Sequence, residues 1–165
     1  MTEKNKKTFT IILLSVYLLV LIWIILFKLD FRLDLGYQRE INLIPFYYDI
    51  ETTGHFAEVR DNILIFVPLG LYLSLLGVKP LYSILSGFGL SAVLELFQYI
   101  LGVGVTDITD LITNTLGTAL GTLIFLLLAR IFKNRPRLEN ILRIIATAAT
   151  LLFLIFAAVV LVFNE

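Results

Sequence analysis

Nineteen uncharged residues, "FTIILLSVYLLVLIWIILF" (Phe9 to Phe27), open the hydrophobic pattern of the chain. At 1.5 Å per residue this run is about 28 Å long as a helix, close to the bilayer hydrocarbon thickness of about 30 Å. Four further predicted spans follow, at about Asn62 to Val78, Leu81 to Leu101, Asp107 to Phe132 and Ile141 to Phe163. One long polar loop, Lys28 to Asp61, separates the first two. The basic "MTEKNKK" before Phe9 resembles a signal-peptide start. The apolar run is too long for one, however, and "KLDFRLD" after it offers no small-residue cleavage site, so a retained anchor is expected. The pattern predicts an all-α polytopic membrane helix bundle of five transmembrane helices, as a single domain over 1–165.

Composition sharpens this picture. The chain is 59% hydrophobic, against about 45–50% in soluble domains. It has no cysteine, which excludes disulfides, thiolate catalysis and zinc–thiolate sites. Its formal net charge is zero, so no bulk attraction to nucleic acid is expected. The distribution of basic residues sets the orientation. With the N-terminus inside, nine fall on the inner side: Lys4, Lys6, Lys7, Lys79, Arg130, Lys133, Arg135, Arg137 and Arg143. Four fall outside (Lys28, Arg32, Arg39 and Arg60), among seven acidic residues. Five spans then place the C-terminus outside. Arg135-Pro136-Arg137 reads as a tight cytoplasmic loop.

On this orientation the polar residues of spans two to four gather in the outer third of the bilayer. Ser91, Glu95 and Gln98 follow i, i+4, i+7 and share a helix face. Asp107, Asp110, Asn114, Gly117 and Gly121 form a second stripe, whose glycines permit close helix approach. Asp61 and Asn62 open span two at the same level. Simple structural accounts exist for most of these. Asp107 suits a helix N-cap, and Asp61 with Asn62 the same. Gln98 and Asn114 suit interhelical hydrogen bonds, worth about 0.6–2 kcal/mol each. Gly117 and Gly121 suit packing. Pro68 and Gly70 suit a kink in span two, with Pro68 leaving the Leu64 carbonyl in need of a donor. Glu95 is different. It lies in "GFGLSAVLELFQYILG", and spans two to four hold no basic residue before Arg130. An ionisable group at that depth costs several kcal/mol and is a functional candidate by default. The apolar island Ile41 to Tyr48 is too short to span and reads as interfacial, or as a lid over the cluster.

Taken in order, "NLIPF", "DNILIFVPLG", "LSAVLELFQ" and "TDITDLITNTLG" resemble the VanZ-like family. The resemblance covers Leu21 to Gly121, with the fifth span matching in type only. It implies a multi-pass protein of the bacterial cell membrane linked to low-level teicoplanin resistance. The family's recurrent motif residues fall on Asn42, Pro45, Phe46, Asn62, Pro68, Gly70, Glu95, Gln98, Asp107, Asp110, Asn114 and Gly117. One departure is that many members carry an arginine shortly before the aspartates, where "LGVGVTD" has none. A carboxylate–arginine pair built from that position is therefore not expected here.

Three functions compete. The first is a non-enzymatic envelope protein whose outward polar groove acts on an envelope lipid or on the drug. Its site residues would be Glu95, Gln98, Asp107, Asp110, Asn114, Asn62 and Asn42, with Pro45, Phe46, Pro68, Gly70, Gly117 and Gly121 as structural motif. Its partners would be membrane lipids, a lipid-linked cell-wall precursor or a lipoglycopeptide antibiotic. The second is an enzyme modifying an envelope lipid, with Glu95 or Asp110 as general acid or base. Against it, no nucleophile motif, metal-ligand set or phosphate loop is present, and no metal or cofactor is expected. The third is a small cation-coupled transporter, against which no inverted repeat is visible.

Overall fold

The fold, from a computed structural model, is described here for residues 2–27, 40–47 and 53–163. The chain order is α1 (Glu3–Phe27), β1 (Ile41–Asn42), α2 (Thr53–Leu75), α3 (Pro80–Leu101), β2 (Thr106–Asp107), α4 (Ile108–Ile131) and α5 (Arg135–Phe163). Lys28, Arg32 and Arg39, Tyr48 of the apolar island, and most of the expected outer loop lie outside the described residues.

Local chemistry sets the helix ends. Pro80 opens α3 at a position where a missing N–H costs nothing, and Lys79 before it is extended. Gly102 closes α3 in the left-handed conformation, its N–H reaching the carbonyls of Gln98 and Tyr99. Gly77, with φ of 80°, follows α2 in the same way. Asp107 caps α4 by accepting the Thr109 N–H. At α5 the expected Arg135-Pro136-Arg137 loop is instead the first helical turn. Asn134 accepts the Arg137 N–H at 3.0 Å, and Pro136 is tolerated because first-turn amides have no helical partner.

Among the described residues four helices are long and apolar enough to cross a membrane: α1, α3, α4 and α5. α2 differs. Its first turns carry Glu58, Arg60 and Asp61, so its uncharged part runs only from Asn62 to Leu75. The helix begins well before the expected span, because those charged residues continue it rather than precede it.

α2 and α4 form the most extensive helix pair, and α3 packs on the next face of α4. Glycines set the first contact. A Cβ on Gly121 would collide with the Val67 carbonyl, one on Gly117 with the Ile63 carbonyl, and one on Gly70 with the backbone of Thr118 and Thr122. Gly70 therefore serves close approach, and α2 is a continuous helix through Pro68. Tyr17 of α1 donates its hydroxyl to the Ile65 carbonyl at 2.7 Å, one residue beyond the carbonyl that Pro68 leaves without a donor. Ser83 and Thr122 share a buried hydrogen bond between α3 and α4. Leu21, Leu26, Phe66, Leu69 and Leu94 form the apolar core where α1 crosses α2 and α3. α5 lies at the edge against α1, and Ile144, Leu151, Leu152 and Ile155 face outward. Outward apolar side chains along every long helix are what a bilayer solvent requires.

Candidate functional site

The polar residues converge at the end of the bundle where α3 finishes and α4 begins. β1 and β2 pair there in parallel, Ile41 beside Thr106 and Asn42 beside Asp107. This pairing brings a distant loop onto the mouth of α4. Asn42 is fully used: its amide nitrogen donates to the Asp107 carboxylate and to the Tyr47 carbonyl, both at 3.1 Å, and its oxygen accepts the Ile44 N–H. The segment then turns, with Tyr47 N–H returning to the Ile44 carbonyl. Pro45 occupies the second turn position, which suits its fixed φ. Phe46 takes the third, with φ of 56°, where glycine is the usual choice. A non-glycine residue there costs about 1–3 kcal/mol. The Phe46 N–H is held by the Thr109 hydroxyl at 3.0 Å. Residues 40–47 thus form a cap on α4, with Ile41, Leu43, Ile44, Phe46 and Tyr47 exposed around it.

Below the cap sits Glu95, only 6% exposed. Its Oε2 accepts the backbone N–H of Asp107 at 3.0 Å, and its own carbonyl accepts the Thr106 hydroxyl. Asp107 and Asp110 both lie within electrostatic range of it. Among the described residues no cationic side chain pairs with Glu95. Asn62 of α2 donates to Asp110 at 2.7 Å, and Asn114 donates to Ser91 of α3 at 2.9 Å. Gln98 turns elsewhere: it shares the Glu95 face of α3 but donates to the Ile25 carbonyl of α1. Asp61 also stays out of the cluster. It is exposed, and the neighbouring Arg60 guanidinium holds its carboxyl below the usual carboxylate range.

Among the described residues two buried side-chain carbonyl oxygens lack a donor: Oδ1 of Asn114, 3% exposed, and Oε1 of Gln98, 7% exposed. Asn114 reaches Ser91, one turn before Glu95 on α3, from α4, and Gln98 lies nearly one turn after Glu95 on α3 itself. The cluster is therefore rich in acceptors, and its natural complement is a group carrying N–H or O–H donors. Among the described residues no grouping of histidine, aspartate and glutamate has metal-binding geometry.

The expected stripe of α4 is split between two neighbours. Asn114 faces α3, whereas Gly117 and Gly121 face α2. Thr109 was not singled out by spacing, although a hydroxyl two residues past an aspartate cap is well placed to receive a covering strand. Ser91 and Thr106 are the other contributors, and only Ser91 shares a periodic face with Glu95.

The VanZ/LLP1 family model matches residues 14–132, which includes every residue of the cluster. The chain belongs to the VanZ/LLP1 family. Protein VanZ of Enterococcus faecium is 36% identical over 151 residues, covering 87% of this chain and 89% of that protein. No solved structure matches. The VanZ/LLP1 match ends at Phe132, so the capped polar cluster on α2 to α4 lies inside the family region and all of α5 beyond it.

Proposed function

We propose that the capped cluster is an outward-facing polar site that engages an amphiphile of the cell envelope. The occupant is a lipid-linked cell-wall precursor, another envelope lipid or a lipoglycopeptide drug, and the outcome is low-level teicoplanin resistance without catalysis. One observation carries this reading: Glu95 is buried at the α3–α4 contact, with acceptor oxygens of Asn114 and Gln98 that have no donor among the described residues, under a cap whose side chains are exposed and apolar. The acceptors suit a donor-bearing headgroup, and the exposed Ile44, Phe46 and Tyr47 suit the chain attached to it. Teicoplanin carries an acyl chain that holds it in this layer, so it is affected more than vancomycin.

The accompanying topology has five crossings, the N-terminus inside and the C-terminus outside, from the nine-to-four asymmetry of basic residues. α2 crosses with its uncharged part, 14 residues or about 21 Å, leaving Arg60 and Asp61 in the outer headgroup layer. A reporter fused behind residue 165 is expected to read as extracytoplasmic; a cytoplasmic signal overturns the topology.

The functional test expresses the chain in a susceptible Gram-positive host. Wild type is expected to raise teicoplanin tolerance more than vancomycin tolerance. Glu95→Gln, which keeps size and most hydrogen bonding, is expected to abolish protection at unchanged membrane abundance. Full protection by Glu95→Gln at equal abundance defeats the assignment of Glu95.

A further inference from the structure

The opposite end of the bundle carries a second feature. α1 and α5 both begin there, and Arg143 of α5 donates to the Thr10 hydroxyl of α1 at 3.0 Å. The nine basic residues counted above gather at this end, against two acidic ones, Glu3 and Glu139. Arg143 is 7% exposed. Its guanidinium also donates to Asn140 and Glu139, both at 3.2 Å. Among the described residues three of its five N–H donors are thus used, and one on each terminal nitrogen remains. Glu139 does not neutralise the group, because it also pairs with Arg135 at 3.2 Å.

One turn further along α5 a cavity of about 270 Å³ opens between α1, α2 and α5. Val16 and Val20, Pro68 and Leu71, and Ala146 and Ala149 line its three sides. Among the described residues its lining carries no charged side chain. Ala146 and Ala149 are the smallest side chains of its lining. At the far end is Phe153, whose ring lies 6.0 Å from that of Trp23 in an edge-to-face arrangement. The distance from Thr10 to Trp23, thirteen residues, is roughly 20 Å along α1, more than half of the hydrocarbon core of about 30 Å.

We propose that this is a binding site for an anionic phospholipid, with one acyl chain in the α1–α2–α5 cavity and the phosphate at the remaining donors of Arg143. An apolar cavity at membrane depth accepts a hydrocarbon chain. A basic pocket between transmembrane helices selects an anionic headgroup over a zwitterionic one. Arg143 is already oriented by Thr10 and Asn140, so little side-chain entropy is lost on binding. The site is separate from the capped cluster, and its occupancy does not depend on the role proposed for Glu95. Bound lipid would fill the gap between α5 and the rest of the bundle.

Trp23 is the sole tryptophan, which makes it a clean reporter. The full chain is reconstituted in phosphatidylcholine vesicles and titrated with dibrominated phosphatidylglycerol or dibrominated phosphatidylcholine. The phosphatidylglycerol is expected to quench Trp23 at about fivefold or more lower mole fraction, the factor for one basic side chain at an anionic lipid surface. Arg143→Gln is expected to remove that preference. So is the pair Ala146→Leu with Ala149→Leu, which fills the cavity and leaves every basic residue in place. Arg137→Gln, at the same end but away from the cavity, is expected to retain it. Equal quenching by the two lipids overturns the proposal. A preference that survives filling of the cavity also overturns it, because the selectivity then belongs to the basic surface at large. If Arg143→Gln fails to insert, the alanine pair decides the outcome.

Discussion

The Glu95 carboxylate accepts the backbone N–H of Asp107 at 3.0 Å, and so ties the C-terminal end of α3 to the strand that starts α4. The acid therefore has a structural duty besides any functional one, and substitutions separate the two. Glutamine keeps an acceptor at this position, whereas leucine leaves the Asp107 N–H without one. Loss of a buried hydrogen-bond partner costs about 1–3 kcal/mol. Glu95→Leu is expected to lower the midpoint of thermal unfolding in detergent by several degrees, and Glu95→Gln to leave it close to wild type. Equal destabilisation by both means that the second carboxylate oxygen also bears on the fold.

The cap of residues 40–47 rests on a two-residue strand pair and two side-chain hydrogen bonds, Asn42–Asp107 and Phe46–Thr109, so it is suited to open. Ile41 and Thr106 are paired strand neighbours, and adjacent strands lie about 4.7–4.9 Å apart, within the Cα separations that disulfides span. The chain has no cysteine of its own. Ile41→Cys with Thr106→Cys is expected to form a disulfide under mild oxidation, read as a mobility shift reversed by reductant. In the resistance assay, locking is expected to remove protection and the reduced form to restore it. Failure to cross-link would place the cap elsewhere.

Close approach of α2 and α4 rests on glycine. Gly121→Ala places a methyl group against the Val67 carbonyl, which cannot move without shifting α2. Overpacking of this kind costs about 1–3 kcal/mol. Gly89→Ala is the control, because nothing lies within 4 Å of its missing Cβ. Thermal unfolding should fall clearly for the first. For the second it should stay level or rise slightly, as expected for alanine in a helix. Similar behaviour of the two variants would remove glycine packing as the basis of this contact.

The membrane helices were legible because a bilayer imposes long uncharged runs that few other structures need. The start of α2 was not, since Glu58, Arg60 and Asp61 read as loop yet are helical residues ahead of the apolar part. Spacing put Glu95 and Asn114 on inward faces, and the structure brings both to the α3–α4 contact. It assigned Asn114, Gly117 and Gly121 to one stripe without resolving that a helix between two neighbours divides such a stripe between them. The strand pair was invisible, because two residues carry no periodicity. Arg143 looked like one more charge at the membrane edge. Its burial depends on Thr10, 133 residues away, which no local pattern encodes.

Asn62 and Asp110 join α2 to α4 at 2.7 Å, and exchanging their chemistry tests that contact without reference to any ligand. Asn62→Asp alone replaces the donor with a second carboxyl group at hydrogen-bond distance from the first. One of the two must then take up a proton, or the helices must separate, and either outcome destabilises this end of the bundle. Asp110→Asn alone leaves two amides, which still hydrogen-bond after one rotates. The double variant restores one acid and one amide in reversed positions. Hydrogen bonds between membrane helices are worth about 0.6–1.7 kcal/mol, and an uncompensated buried acceptor costs about 1–3 kcal/mol. Asn62→Asp is therefore expected to be the least stable of the three in thermal unfolding at neutral pH, and adding Asp110→Asn is expected to recover a substantial part of the loss. The loss should also shrink at acidic pH, where one carboxyl group is protonated and can donate to the other. Additive destabilisation in the double variant, with no rescue at any pH, would show that the two side chains do not meet and would remove α2 from the cluster.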